Sequence, residues 1–172
     1  MLRRLLISWI ILSMVCLPLF GAKVPREATP FSFELPGNTR IAVEDYKGKV
    51  IALEFLLTTC PHCKRTSAVM QRLYNEYGSK GFQALGVAFN DTDMNAVKGY
   101  ALSAGVTYPV GLGDRDRVVE FLQHPIMLTL WTPILIVIDK NGNIRGQYHG
   151  TDKFFKNEEV NMRKQIEELL AE

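Results

Sequence analysis

Thr58-Thr59-Cys60-Pro61-His62-Cys63-Lys64 (TTCPHCK, residues 58–64) holds two of the chain's three cysteines, a proline and one of its three histidines. Three chemistries suit such a cluster. It can exchange disulfides, supply half of a metal site, or reduce peroxide through one cysteine with a neighbour. The residues on either side narrow the choice. Val50 to Leu57 (VIALEFLL) is a nearly unbroken apolar run, the pattern of a central strand covered on both faces. From Pro61 the period changes, with Met70, Leu73, Tyr74 and Tyr77 recurring at three and four, which predicts an amphipathic helix stopping near Gly78. Cys60 therefore falls where a buried strand hands over to a helix. Pro61 suits the first helical position, because its missing N–H has no partner there and its φ is already helical. Cys60 lies against unpaired backbone N–H groups and the positive end of the helix dipole, which favours thiolate over thiol. Cys63, three residues on, shares its helix face. The expected roles are an attacking Cys60 and a resolving Cys63 that releases a mixed disulfide.

The rest of the chain sets the context. At 172 residues and 47% hydrophobic content it can build one full core, and it is not a disordered chain. Met-Leu-Arg-Arg followed by an apolar run from Leu5 to Phe20 has the form of a bacterial export signal. We read residues 1–22 as a signal peptide or membrane anchor, 23–30 as a linker and 31–172 as a single domain. Neither cleavage nor retention is favoured by the residues around Ala22. Cys16 leaves with the signal or sits in lipid; lipid attachment at Cys16 is disfavoured by Val15. The expected location is periplasmic or otherwise extracytoplasmic, either secreted or tethered to the inner membrane by residues 5–22. Beyond residue 22 the chain carries 18 basic and 18 acidic residues, a balance that excludes a nucleic-acid partner. Only Cys60 and Cys63 remain there. An oxidising compartment permits a disulfide between them, yet so short a loop restrains the unfolded chain little. Redox chemistry explains the pair better than stapling does.

Further elements follow by pattern. FSFELP and TRIAVEDY alternate around Gly37-Asn38 as a hairpin. Residues 82–89 and 134–139 read as buried strands, and Asn141-Gly142 turns the latter into NIRGQYHG. Helices are expected after an Asp91 or Thr92 cap, over Asp114–Gln123, and after an Asn157 cap. Strands alternating with helices give an α/β sandwich with a mostly parallel sheet.

Taken together, YKGKVIALEFLLTTCPHC and TPILIVIDKNGNI resemble the thioredoxin superfamily, in its exported TlpA/ResA-like, AhpC/TSA-related branch, from Phe31 to the C-terminus. The resemblance implies a three-layer thioredoxin-like sandwich with an N-terminal hairpin. It also implies a thiol–disulfide oxidoreductase that needs no cofactor or metal, acting as a monomer on protein thiols and disulfides of the cell envelope, with a membrane redox partner. It implies a cis Thr132–Pro133 bond facing the cysteines and offering backbone to substrate. Glu54, six residues before Cys60, matches the buried acid beneath the thioredoxin pair and would move protons for Cys63. Pro61-His62 is the dipeptide of the oxidising DsbA-type enzymes, so both residues are expected to tune the couple. An imidazole at the helix start can donate a hydrogen bond or positive charge to the Cys60 thiolate. Two departures stand out. Thr59 replaces the family's usual tryptophan, for which Trp131 could substitute in the substrate groove, and HPIML precedes Thr132 where relatives have a shorter turn. Two rival readings remain. An AhpC/TSA-type thiol peroxidase lacks its Pro and Thr or Ser, since Leu53 and Leu57 stand at those positions. A copper module would recruit His124 or His149 beside the two cysteines.

Overall fold

A computed structural model describes residues 22–125 and 127–172. The apolar N-terminal run and Cys16 lie outside the described residues. Among those described, no helix is long and apolar enough to cross a membrane.

The apolar run around the cysteines forms the middle of the molecule, as its pattern requires. β4 (Val50–Leu56) is buried at every position and lies between β5 (Phe82–Ala88), to which it is parallel, and β7 (Ile134–Ile138), to which it is antiparallel. The eight described strands make one mixed sheet in the order β1 (Arg26–Glu27), β8 (Asn143–His149), β7, β4, β5, β6 (Val110–Leu112), β2 (Ser32–Leu35), β3 (Thr39–Ala42). β8 closes one side through the Asn141-Gly142 turn, where Gly142 takes a φ of 93°. On the other side stands the hairpin of β2 and β3, turning through Gly37 and Asn38, both at positive φ.

Side-chain alternation on β4 divides the core in two. Val50, Ala52 and Leu56 face a cluster with α1 (Pro61–Tyr77), α2 (Met94–Ala104) and α4 (Glu158–Ala171). Ile51, Leu53 and Phe55 face a second cluster with α3 (Arg115–Leu122) and the hairpin, centred on the rings of Phe31, Phe55 and Phe121. The expected sandwich is present, with helices on both faces, but the sheet is not mostly parallel: β4 with β5 and β5 with β6 are the parallel pairings, and the other five are antiparallel, because the hairpins at both sides outnumber the helical crossovers.

The structure departs from the sequence reading at the edges. Arg26–Glu27, within the segment read as a linker, form β1 against Ile144 and Asn143 of β8. Arg26 ties it down by donating to the Phe121 carbonyl and the Gln147 side chain. Val110–Leu112 form β6, linking β5 to β2 through a strand too short to show a period. α2 is capped by Asp93, whose side chain accepts from the Ala96 N–H, and not by Asp91 or Thr92. Asn157 precedes α4, but its side chain makes no capping bond.

Candidate functional site

The active face lies at the C-terminal end of β4, where the chain turns into α1. Cys60 is the N-cap residue of α1 with extended backbone, and Pro61 occupies the first helical position. The Sγ of Cys60 accepts a hydrogen bond from the Cys63 N–H at 3.1 Å. The sulfur thus meets one of the donors that every helix N-terminus leaves unpaired. Cys60 and Cys63 form a disulfide, with Cα atoms 5.3 Å apart. Their exposures differ in a way that separates their roles. Cys60 is partly exposed, while Cys63 is fully buried in the α1 cluster. An outside thiol can reach only the first sulfur.

Two neighbours hold this corner. The Thr132 hydroxyl donates to Cys60 Sγ at 3.7 Å, and the Thr132–Pro133 bond is cis. Its backbone turn is braced from β8, where the Gly150 N–H donates to the Trp131 carbonyl at 2.9 Å. Asn90, just past β5, accepts from the Thr58 N–H through Oδ1 and donates from Nδ2 to the Thr58 hydroxyl. These bonds fix Thr58, two residues before Cys60. Sequence reasoning missed Asn90 and Gly150. An asparagine after a strand and a glycine after a hairpin are too common to stand out alone.

Glu54 projects from β4 onto the α1 side and has no exposed surface. Ser67, one helical turn beyond Cys63 on the same face of α1, donates to Glu54 Oε2 at 2.6 Å. Its other oxygen, Oε1, is buried and has no hydrogen-bond partner among the described residues. Desolvation pushes the carboxyl well above the usual carboxylate range, reinforced by the Glu158 charge and opposed by the Ser67 bond. Burial thus favours the protonated, uncharged form of this carboxyl.

His62 is half-buried, and its ring meets Phe155 edge-on at 5.1 Å. Burial first, and Arg65 second, lower its pKa below the ordinary imidazole value, while Glu158 acts the other way. A neutral ring supplies a hydrogen-bond donor at pH 7 but little positive charge. Trp131 is 57% exposed, and Met127 and Leu128 nearby in the chain are exposed too, which gives this corner an apolar surface. His124 and His149 face each other at 5.4 Å between ring centroids. No group of three or more His, Cys, Asp or Glu side chains among the described residues is arranged to hold a metal.

The Redoxin family model matches residues 21–166. Among curated proteins, the chain is similar to the thiol-disulfide oxidoreductase ResA of Bacillus anthracis. The two are 27% identical over 129 residues, covering 74% of this chain and 70% of the relative. The ResA of Geobacillus thermodenitrificans is 32% identical over 108 residues, 62% of this chain and 58% of that one. Among solved structures, a thiol:disulfide interchange protein of the thioredoxin family from Chlorobium tepidum superposes with a TM-score of 0.71 at 24% identity. That match covers 87% of this chain and 99% of the other. A thiol:disulfide interchange protein from Bacteroides sp. gives 0.71 at 18%, covering 89% and 93%. At those identities the two structures speak for the fold.

Proposed function

The chain belongs to the Redoxin family, and we propose that this member is a thiol–disulfide oxidoreductase exchanging disulfides with protein partners outside the cytoplasm. The observation that carries the reading is the asymmetric pair: a partly exposed Cys60 at a helix N-cap, bonded to a fully buried Cys63.

The chemistry follows from that asymmetry. A partner thiolate attacks Cys60 Sγ in line with the disulfide, and the electron pair of the broken bond goes to Cys63 Sγ. A thiolate left in the apolar α1 cluster is costly, so Cys63 needs a proton. Glu54, on β4 and bonded to Ser67 one helical turn beyond Cys63, is the group we assign to give it, its protonated form being favoured by burial. A second partner thiolate then attacks the mixed disulfide and releases Cys60 as a thiolate stabilised by the Cys63 N–H, the helix dipole and the Thr132 hydroxyl. The partner leaves oxidised by two electrons. The reverse sequence reduces a partner, with Glu54 carboxylate taking the Cys63 proton.

Trp131 and the backbone of Thr132 and Pro133 are the proposed contact for an extended partner segment. The apolar run over residues 5–20 is the proposed export signal or membrane tether, which would bring the domain to envelope partners, a membrane redox protein among them.

A redox titration against glutathione tests the reading. The expected result is a reversible two-electron couple that vanishes in Cys60→Ser and lies above the value of about −270 mV for thioredoxin. Replacing His62 by proline removes its donor and is expected to make the couple more reducing, about 30 mV for each 1.4 kcal/mol of lost thiolate stabilisation. A wild-type couple at or below thioredoxin's, unmoved in His62→Pro, would remove both helix-start tuning and the oxidising assignment.

A further inference from the structure

Glu54 does not stand alone; its carboxyl ends a chain of buried hydroxyl groups. Ser67 is fully buried on α1, and Tyr100, on α2, is 2% exposed. Their oxygens lie 2.7 Å apart, and Ser67 Oγ lies 2.6 Å from Glu54 Oε2. Tyr108, ahead of β6, reaches the Ser67 backbone carbonyl from a third side at 3.4 Å. Three buried polar side chains from β4, α1 and α2 thus meet at the Ser67 hydroxyl, one helical turn beyond Cys63. Buried hydroxyls need partners, but that need is met by any carbonyl. Here one hydroxyl, that of Ser67, is directed at a single carboxyl oxygen, Glu54 Oε2, and a second, that of Tyr100, is paired with Ser67.

Counting protons shows what this does. Serine has a single hydroxyl hydrogen. With that hydrogen given to Glu54 Oε2, Ser67 can only accept from Tyr100, so the donors run from Tyr100 to Ser67 to Oε2. Burial raises the Tyr100 pKa, and the Glu54 charge raises it further, so Tyr100 keeps its proton throughout the working range. An oxygen already accepting a short hydrogen bond is the poorer place for the carboxyl proton. That proton belongs on Oε1, the atom without a partner among the described residues.

We propose that Ser67 and Tyr100 are positioning residues for proton transfer between Glu54 and Cys63. Their relay fixes Oε2 as the acceptor and keeps Oε1 as the oxygen that gives and takes the proton. The proposal rests on the reading that Glu54 serves Cys63. In the step concerned, a thiolate attacks Cys60 Sγ, the Cys60–Cys63 bond breaks, and its electron pair goes to Cys63 Sγ. The proton on Glu54 Oε1 moves to that sulfur. The carboxylate formed is stabilised by the Ser67 hydrogen bond. Cys63 is reduced to a thiol, and the attacking thiol is oxidised into the mixed disulfide. The titratable groups around the carboxyl are Tyr100 on α2, Tyr108 before β6, Cys63 on α1 and Glu158 at the start of α4. Glu158 is occupied by the Thr66 hydroxyl at 2.8 Å.

The test is the rate at which reduced glutathione opens the disulfide, corrected for its thiolate fraction, from pH 5 to 9. In wild type the corrected rate is expected to fall as pH rises through the Glu54 titration. Ser67→Ala removes the bond that lowers this pKa, so the fall moves up by about one pH unit, and the low-pH plateau drops about tenfold. Tyr100→Phe is expected to move the profile the same way by less, and it keeps the test open should Ser67→Ala not fold. Ser67→Thr keeps the hydroxyl and is expected to restore the wild-type profile. If both hydroxyl deletions lower the melting temperature yet leave the profile in place, the relay is packing and the proposal fails. If Glu54→Gln also leaves the profile unchanged, the proton role of Glu54 itself fails.

Discussion

Glu54 is the residue whose energetics run against the fold, and its sign can be worked out. Its folded pKa lies above the unfolded value, so the folded state holds more protons than the unfolded state between the two. Stability in that window falls as pH rises, and it levels off above the folded pKa. The contribution is fully present below the ordinary carboxylate value of 4.5. Across the window it is lost at about 1.4 kcal/mol per pH unit. We therefore expect Glu54→Leu to be more stable than wild type at pH 8, with a flatter dependence of stability on pH between 5 and 8. Urea unfolding at several pH values measures this. A variant equally stable at pH 5 and less stable at pH 8 would mean that Glu54 is paired and charged. Glu54 stood out in the sequence because an acid within a buried strand has no ready structural reason. Ser67, Tyr100 and Asn90 did not stand out. Each is ordinary where it stands, and only the packing of α1, α2 and β5 brings them to the site.

At the scale of elements, the strand–helix junction was legible because an unbroken apolar run gives way there to a period of 3.6, with proline marking the joint. β1 and β6 were not legible, having two and three residues. Their pairing is set by the strands beside them rather than by their own pattern. The same holds for the turn that faces Cys60. The end of β8 packs so tightly on it that a Cβ on Gly150 would run into the backbone of Thr132. We expect Gly150→Ala to push this turn away from Cys60, slowing disulfide exchange about tenfold and costing about 1–3 kcal/mol of stability. Turnover and thermal unfolding on the same sample check it. An alanine variant with wild-type rate and melting temperature would show that the turn needs no such support.

Across the whole molecule, the fold was readable because apolar strands, amphipathic helices and turn residues all pointed to one α/β sandwich. The two core clusters on opposite sides of β4 carry out that pattern. The expected difference between the two cysteines was read from the strand-to-helix junction, and their depths agree with it: Cys60 is partly exposed and Cys63 buried. We propose that a partly exposed sulfur backed by a buried one sets an order of events: Cys60 meets the partner, and Cys63 acts only within the chain. The most direct measurement is mixed-disulfide capture from envelope extract by Cys63→Ser and by Cys60→Ser, resolved without reductant. Cys63→Ser is expected to accumulate partners on Cys60, released by dithiothreitol, and Cys60→Ser almost none. Equal capture by the two variants, or capture by Cys60→Ser alone, would contradict the assignment.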